Sequence, residues 1–118
     1  MPAVAAFPSV PSTMTAIKIA APGGPEALVT ATLPVPRPKS GEILVEVAAA
    51  GVNYPDVMQR MGGYPPPPGA PDTPGLEIAG VVAADGPDAA GWRIGDEVGA
   101  LGAGGGDAEY CVVPAPQG

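Results

Sequence analysis

Few side chains in this sequence of 118 residues can do chemistry, and their types decide which chemistry is open. A zinc site needs three protein ligands of nitrogen, sulfur or oxygen type. The chain has no histidine, and its one cysteine, Cys111, lies far along the chain. Cys111 sits in an apolar run without a basic neighbour, which reads as a small buried hydrophobe rather than an activated thiol. Glu77, between Leu76 and Ile78, is the one acid set inside an apolar strand pattern. General acid or base work requires a shifted pKa and a proton path, and the sequence shows neither. The run Gly102-Ala103-Gly104-Gly105-Gly106-Asp107 invites a phosphate-loop reading. An aspartate stands where the last glycine of G-x-G-x-x-G belongs, and a strand pattern follows instead of a helix, so a turn is expected.

The most informative stretch is Ala50-Gly51-Val52-Asn53-Tyr54-Pro55-Asp56-Val57-Met58-Gln59-Arg60, with its continuation through Tyr64 to Gly80. A Gly-Val-Asn turn followed by proline and aspartate predicts a short helix with Asn53 as N-cap and Pro55 in its first turn. Asn53 and Tyr54 then sit at the end of an element. Asp56 and Arg60, spaced i and i+4, predict a surface helix pair worth a few tenths of a kcal/mol. Tyr64 opens a run with six prolines up to Pro74, a restrained loop on which its ring can serve as a packing anchor.

The elements that must hold this stretch are strands. Met14–Ala20 alternates like a half-buried strand, Pro22-Gly23-Gly24-Pro25 marks a turn, and Ala27–Leu33 resumes as its hairpin partner. Residues Pro34–Pro38 make an extended edge or linker. The strand Glu42–Ala49 is the best in the chain and delivers it to Asn53. Further strands follow at Leu76–Ala84, after the turn at Trp92–Asp96, and at Ala108–Val113, with Gly80 marking a bulge or a close backbone approach. Many short strands with Pro/Gly connections and one helix worth naming predict a mainly β fold, a small barrel.

Length allows one domain. Alanine supplies much of the 46% hydrophobic content, and 18 glycines and 18 prolines break up regular structure. A net charge of −7 without a basic run argues against nucleic acid as a partner. No window approaches the roughly 18–20 apolar residues of a membrane span, so no membrane is expected either. Met1–Ser12 lacks the charge and apolar run of a secretory signal. One cysteine and no signal fit a reducing, cytoplasmic setting. Residues 1–13 read as a disordered Pro/Ala extension ahead of a domain over 14–118.

The spacing G-V-N-x-x-D-x-x-x-R-x-G-x-Y-P, then G-L-E-x-A-G, G-D-E-V and A-E-Y, resembles the N-terminal catalytic domain of the zinc-free quinone oxidoreductases of the medium-chain dehydrogenase/reductase superfamily. The resemblance runs from about Met14 to about Pro114. It implies a co-chaperonin (GroES)-like barrel with one or two short helices. At the positions where zinc-dependent members carry a cysteine and a histidine ligand, this chain has Asn53 and Leu76, so no zinc is expected. It implies NADPH as hydride donor and an electron-poor quinone or enone as acceptor. Asn53 then holds the nicotinamide end of the cofactor or the acceptor oxygen, and Tyr64 and, more weakly, Tyr54 line the acceptor pocket. Glu77 is implied to be architectural, near the floor of the active site. The Rossmann domain of that family has no counterpart in these residues. The expectation is therefore the N-terminal part of an oxidoreductase, a truncated product, a gene-model fragment or one half of a split enzyme, inactive alone and open to completion by a complementing chain or a homodimer. The alternative is a stand-alone co-chaperonin-like binding module.

Overall fold

A computed structural model describes residues 10–63, 65, 66, 68, 70–89 and 91–115. Its elements are β1 (Thr13–Ile19), a 3-10 turn (Pro25–Ala27), β2 (Leu28–Pro34), β3 (Glu42–Gly51), α1 (Tyr54–Arg60), β4 (Glu77–Asp85), β5 (Glu97–Leu101) and β6 (Tyr110–Pro114). The mainly β architecture predicted from the sequence is present, with one short α-helix. All pairings are antiparallel. β1 and β2 form a hairpin sheet, and the other strands form a sheet in the order β5-β4-β3-β6. An isolated bridge, Ala16 to Ala108, ties the hairpin to the segment just before β6. Among the described residues no helix is long and apolar enough to cross a membrane.

The strand β3 holds the assembly together. Ile43, Leu44 and Val45 are consecutive and all almost fully buried, although alternate residues of a strand point to opposite faces. Both faces are therefore covered. Ile43 and Val45 join Ile78, Val82, Val98, Cys111 and Val113 in one core, and Leu44 joins Met14, Ala16, Ala84 and Tyr110 in a second core beneath the hairpin. Burying each large aliphatic side chain is worth roughly 1.5–3 kcal/mol, so this short run is among the most stabilising in the chain. The same residues explain why β3 was the clearest strand in the sequence.

Within the segment 1–13, residues 1–9 lie outside the described residues. Val10 packs against the second core, and the Ser12 carbonyl accepts the Val35 N–H at 3.0 Å. The Trp92 indole Nε1 donates to the Ala115 carbonyl at 2.9 Å, tying the loop before β5 to the residue after β6. The turn predicted at Trp92–Asp96 closes through the Asp96 N–H to the Arg93 carbonyl, with Gly95 at φ +98°.

Gly80 makes the close approach that its place in the pattern suggested. It pairs with Val47 in the β3/β4 ladder, beside a register shift between Val47 and Ala49. A Cβ built on it would overlap the Glu46 carbonyl oxygen. Gly80→Ala should therefore push β4 off β3, lowering stability by about 1–3 kcal/mol. A urea-midpoint comparison reads this directly, and an unchanged midpoint would show that the sheet absorbs the methyl.

Candidate functional site

The site is built at the end of the β3/β4 ladder. Gly51 pairs with Glu77 as its last rung, and Glu77 pairs in turn with Leu101 of β5. Partners across an antiparallel pair project to the same face, so Glu77 and Leu101 share one. Two residues beyond the last rung, Asn53 takes an extended conformation (φ −124°, ψ 162°) and caps α1, with Pro55 in the first turn as predicted. Asp56 supplies the reciprocal half of a capping box: its Oδ2 accepts the Asn53 backbone N–H at 3.0 Å. On the other side the Asn53 Nδ2 donates to Glu77 Oε1 at 3.1 Å. A carboxylate only accepts, so this contact places the NH2 end of the amide toward Glu77.

Apolar side chains next to this polar pair in the chain or the ladder stay in solvent. Val52 is 82% exposed, Tyr54 74% and Leu101 60%. Tyr54, at the first position of α1, holds an open ring beside Asn53. Tyr64 lies outside the described residues. The structure thus brings Asn53, Tyr54 and Glu77 together. Val52 and Leu101 were not singled out from sequence. Their signal was available in principle: a valine in a turn and a leucine at a strand end next to a glycine-rich loop, where burial is hard to arrange.

The pairing predicted between Asp56 and Arg60 is corrected. Asp56 is only 8% exposed and turned to the helix start, while Arg60 Nε donates to the Gly23 carbonyl at 3.0 Å. Capping the first turn satisfies a buried carboxylate better than a solvated ion pair would, and the arginine instead fastens α1 to the loop before β2. Asp56 Oδ1 remains buried without a hydrogen-bond partner.

The glycine cluster is a turn, with four of its amides bonded to the segment before β4. The N–H groups of Gly102, Gly105, Gly106 and Asp107 donate to the carbonyls of Leu76, Thr73, Gly75 and Pro74. An anion cradle needs free N–H groups, and these four are taken. Cys111 is buried, and burial together with the negative charge of Asp107 pushes its thiol up to about 11. That makes it the inert hydrophobe expected. Among the described residues no three His, Cys, Asp or Glu side chains converge as metal ligands would.

Two antiparallel sheets over a double core, with an amide at the start of the one short helix joining β3 to β4, define the class as a GroES-like β fold. The chain belongs to the alcohol dehydrogenase GroES-like domain family, whose model matches residues 39–117. The quinone oxidoreductase of Homo sapiens is 40% identical over 86 residues, covering 72% of this chain and 26% of the relative. The synaptic vesicle membrane protein VAT-1 homolog-like of Mus musculus is 39% identical over 85 residues, 72% of this chain and 20% of the relative. Among solved structures, the quinone oxidoreductase of Pseudomonas syringae superposes with a TM-score of 0.80 at 32% identity, over 88% of this chain and 32% of that one. A mycobacterial protein solved in complex with NADPH gives 0.78 at 39% identity, over 88% and 32%. The chain thus spans 20 to 26% of the length of the two curated relatives.

Asp107 provides a test of the ground beneath α1. Burial, and then the negative charge of Asp56, raise its carboxyl from 3.8 to about 6. A raised acid favours the folded state only while protonated. Below about pH 4 both states carry the proton and nothing is lost; as pH rises through 4 to 6 the unfolded chain ionises first, and stability falls. Asp107→Asn removes that loss. Thermal melts should show the variant gaining on the wild type between about pH 4 and 7, and a pH-independent difference would refute the assignment.

Proposed function

We propose that these residues form the acceptor side of an NADPH-dependent quinone or enone reductase that works without a metal. The observation that carries this reading is the Asn53 amide, fixed between the helix start and Glu77, with exposed Val52 and Tyr54 on either side of it in the chain and exposed Leu101 opposite Glu77 in the ladder. Its support from relatives is that they include quinone oxidoreductases and a protein solved with NADPH. NADPH, when bound, supplies a hydride to a conjugated acceptor already electron-poor, which needs no Lewis acid to polarise it. The donor set agrees: Asn53 and Leu76 stand at the positions where zinc-dependent members carry ligands, and the sequence contains no histidine.

The residues present fit one end of the cofactor and not the other. Asn53 offers an amide hydrogen to a carbonyl oxygen, either the nicotinamide carboxamide or the acceptor. Tyr54, and Tyr64 on the strength of the sequence, offer aromatic faces to flat rings, while Val52 and Leu101 exclude water from the acceptor body. The turn at Gly102–Asp107 has committed the N–H groups of Gly102, Gly105, Gly106 and Asp107 to carbonyls, which makes it a poor cradle for a pyrophosphate. The surface that holds the phosphates therefore comes from outside these 118 residues, from further chain or a complementing subunit. Hydride transfer needs donor and acceptor held in register, so these residues alone turn nothing over.

The purified 118-residue polypeptide tests this. It should be folded by circular dichroism, bind NADPH weakly by fluorescence and show no NADPH oxidation with a panel of quinones. Asn53→Ala should weaken the binding by roughly tenfold, about 1.4 kcal/mol. Turnover by the polypeptide, or binding indifferent to Asn53→Ala, would overturn the reading.

A further inference from the structure

Glu77 lies on a strand with its side chain exposed, where a solvated glutamate would be unremarkable. Its surroundings are not those of a free surface acid. Across the ladder its partner is Gly51, and a Cβ built on Gly51 would overlap the Glu77 carboxylate. The carboxylate therefore lies folded over the Gly51 α-carbon, in space that only glycine leaves open, and from there Oε1 meets Asn53 Nδ2 at 3.1 Å. A rung of the β3/β4 ladder, a missing side chain and an acid distant in sequence combine to hold one amide.

An asparagine amide is close to symmetric in shape and can present either end to a ligand. At Asn53 the choice is made: an acceptor-only carboxylate takes one Nδ2 hydrogen, and the capping box holds the other side of the residue to the first turn of α1. The second Nδ2 hydrogen is left for a ligand. Resting on the proposed function above, we propose that Glu77 is the positioning residue of the site, locking the Asn53 amide so that it donates to a carbonyl oxygen. Glu77 touches neither substrate nor cofactor in this role. It acts through Asn53, and Gly51 is the opening that lets it.

The amide itself reports the outcome, without turnover. In 15N-labelled 118-residue polypeptide, the Asn53 side-chain protons should differ in shift and exchange slowly. Glu77→Ala should bring the two protons together and speed their exchange by roughly tenfold, while Glu77→Gln, whose carbonyl still accepts, should keep most of the protection. Gly51→Ala, which fills the opening with the acid intact, should reproduce the alanine variant. Backbone cross-peaks of β3, β4 and α1 serve as the fold control in each. If Asn53 is unmoved in Glu77→Ala while those cross-peaks hold, the inference is overturned; if the cross-peaks collapse, Glu77 is a structural residue and the inference is again overturned. Millimolar NADPH separates this from the parent reading. Shifts at Asn53 and Tyr54 that weaken several-fold in Glu77→Ala support both, and no shift in the wild type counts against the site alone, since the amide lock is read without ligand.

Discussion

The double burial of β3 is the constraint on which the rest depends. One strand cannot serve two cores unless sheet and hairpin are both in place, because Leu44 faces one and Ile43 and Val45 the other. That requirement fixes the lateral position of β3, and a one-residue slip would exchange the two faces. With β3 fixed, its pairing with β4 brings Gly51 opposite Glu77. The distance from core to site is then a matter of register alone: Asn53 stands two residues past a rung that packing has already placed.

The placement has an energetic side as well. A helix of seven residues is far too short to persist on its own. It depends on the Asn53–Asp56 caps, on Arg60 holding the Gly23 carbonyl, and on the burial of Asp56. The capping residue and the candidate binding residue are the same asparagine. The choice between a cap and a ligand group, which the sequence leaves open, is therefore no choice at all, since the backbone N–H serves the helix while the side-chain amide faces Glu77.

Legibility followed how local each signal is. The strands, the N-cap and the glycine turn are written in runs of neighbouring residues, and each lies within a residue or two of its expected place. Asp56 was misjudged because helical spacing to Arg60 says nothing of which side of α1 is buried. The Asn53–Glu77 contact was out of reach for a different reason. The two residues are joined by a register, and register is set by Leu44 and its neighbours rather than by anything near either of them. Val52 and Leu101 carry only a faint local signal, a turn and a strand end, and it is the sheet end that leaves them in solvent.

The position of β6 has a consequence for how the chain comes into being. Glu42 pairs with Pro114 and Glu46 with Tyr110, so one side of the central strand stays bare until residues 110–114 have left the ribosome. Contacts this distant in sequence form slowly, and an uncovered apolar strand invites pairing with other nascent chains. For this protein the vulnerable interval in biosynthesis is the wait for its sixth strand, and the acidic, proline-punctuated character of the intervening sequence is suited to surviving it.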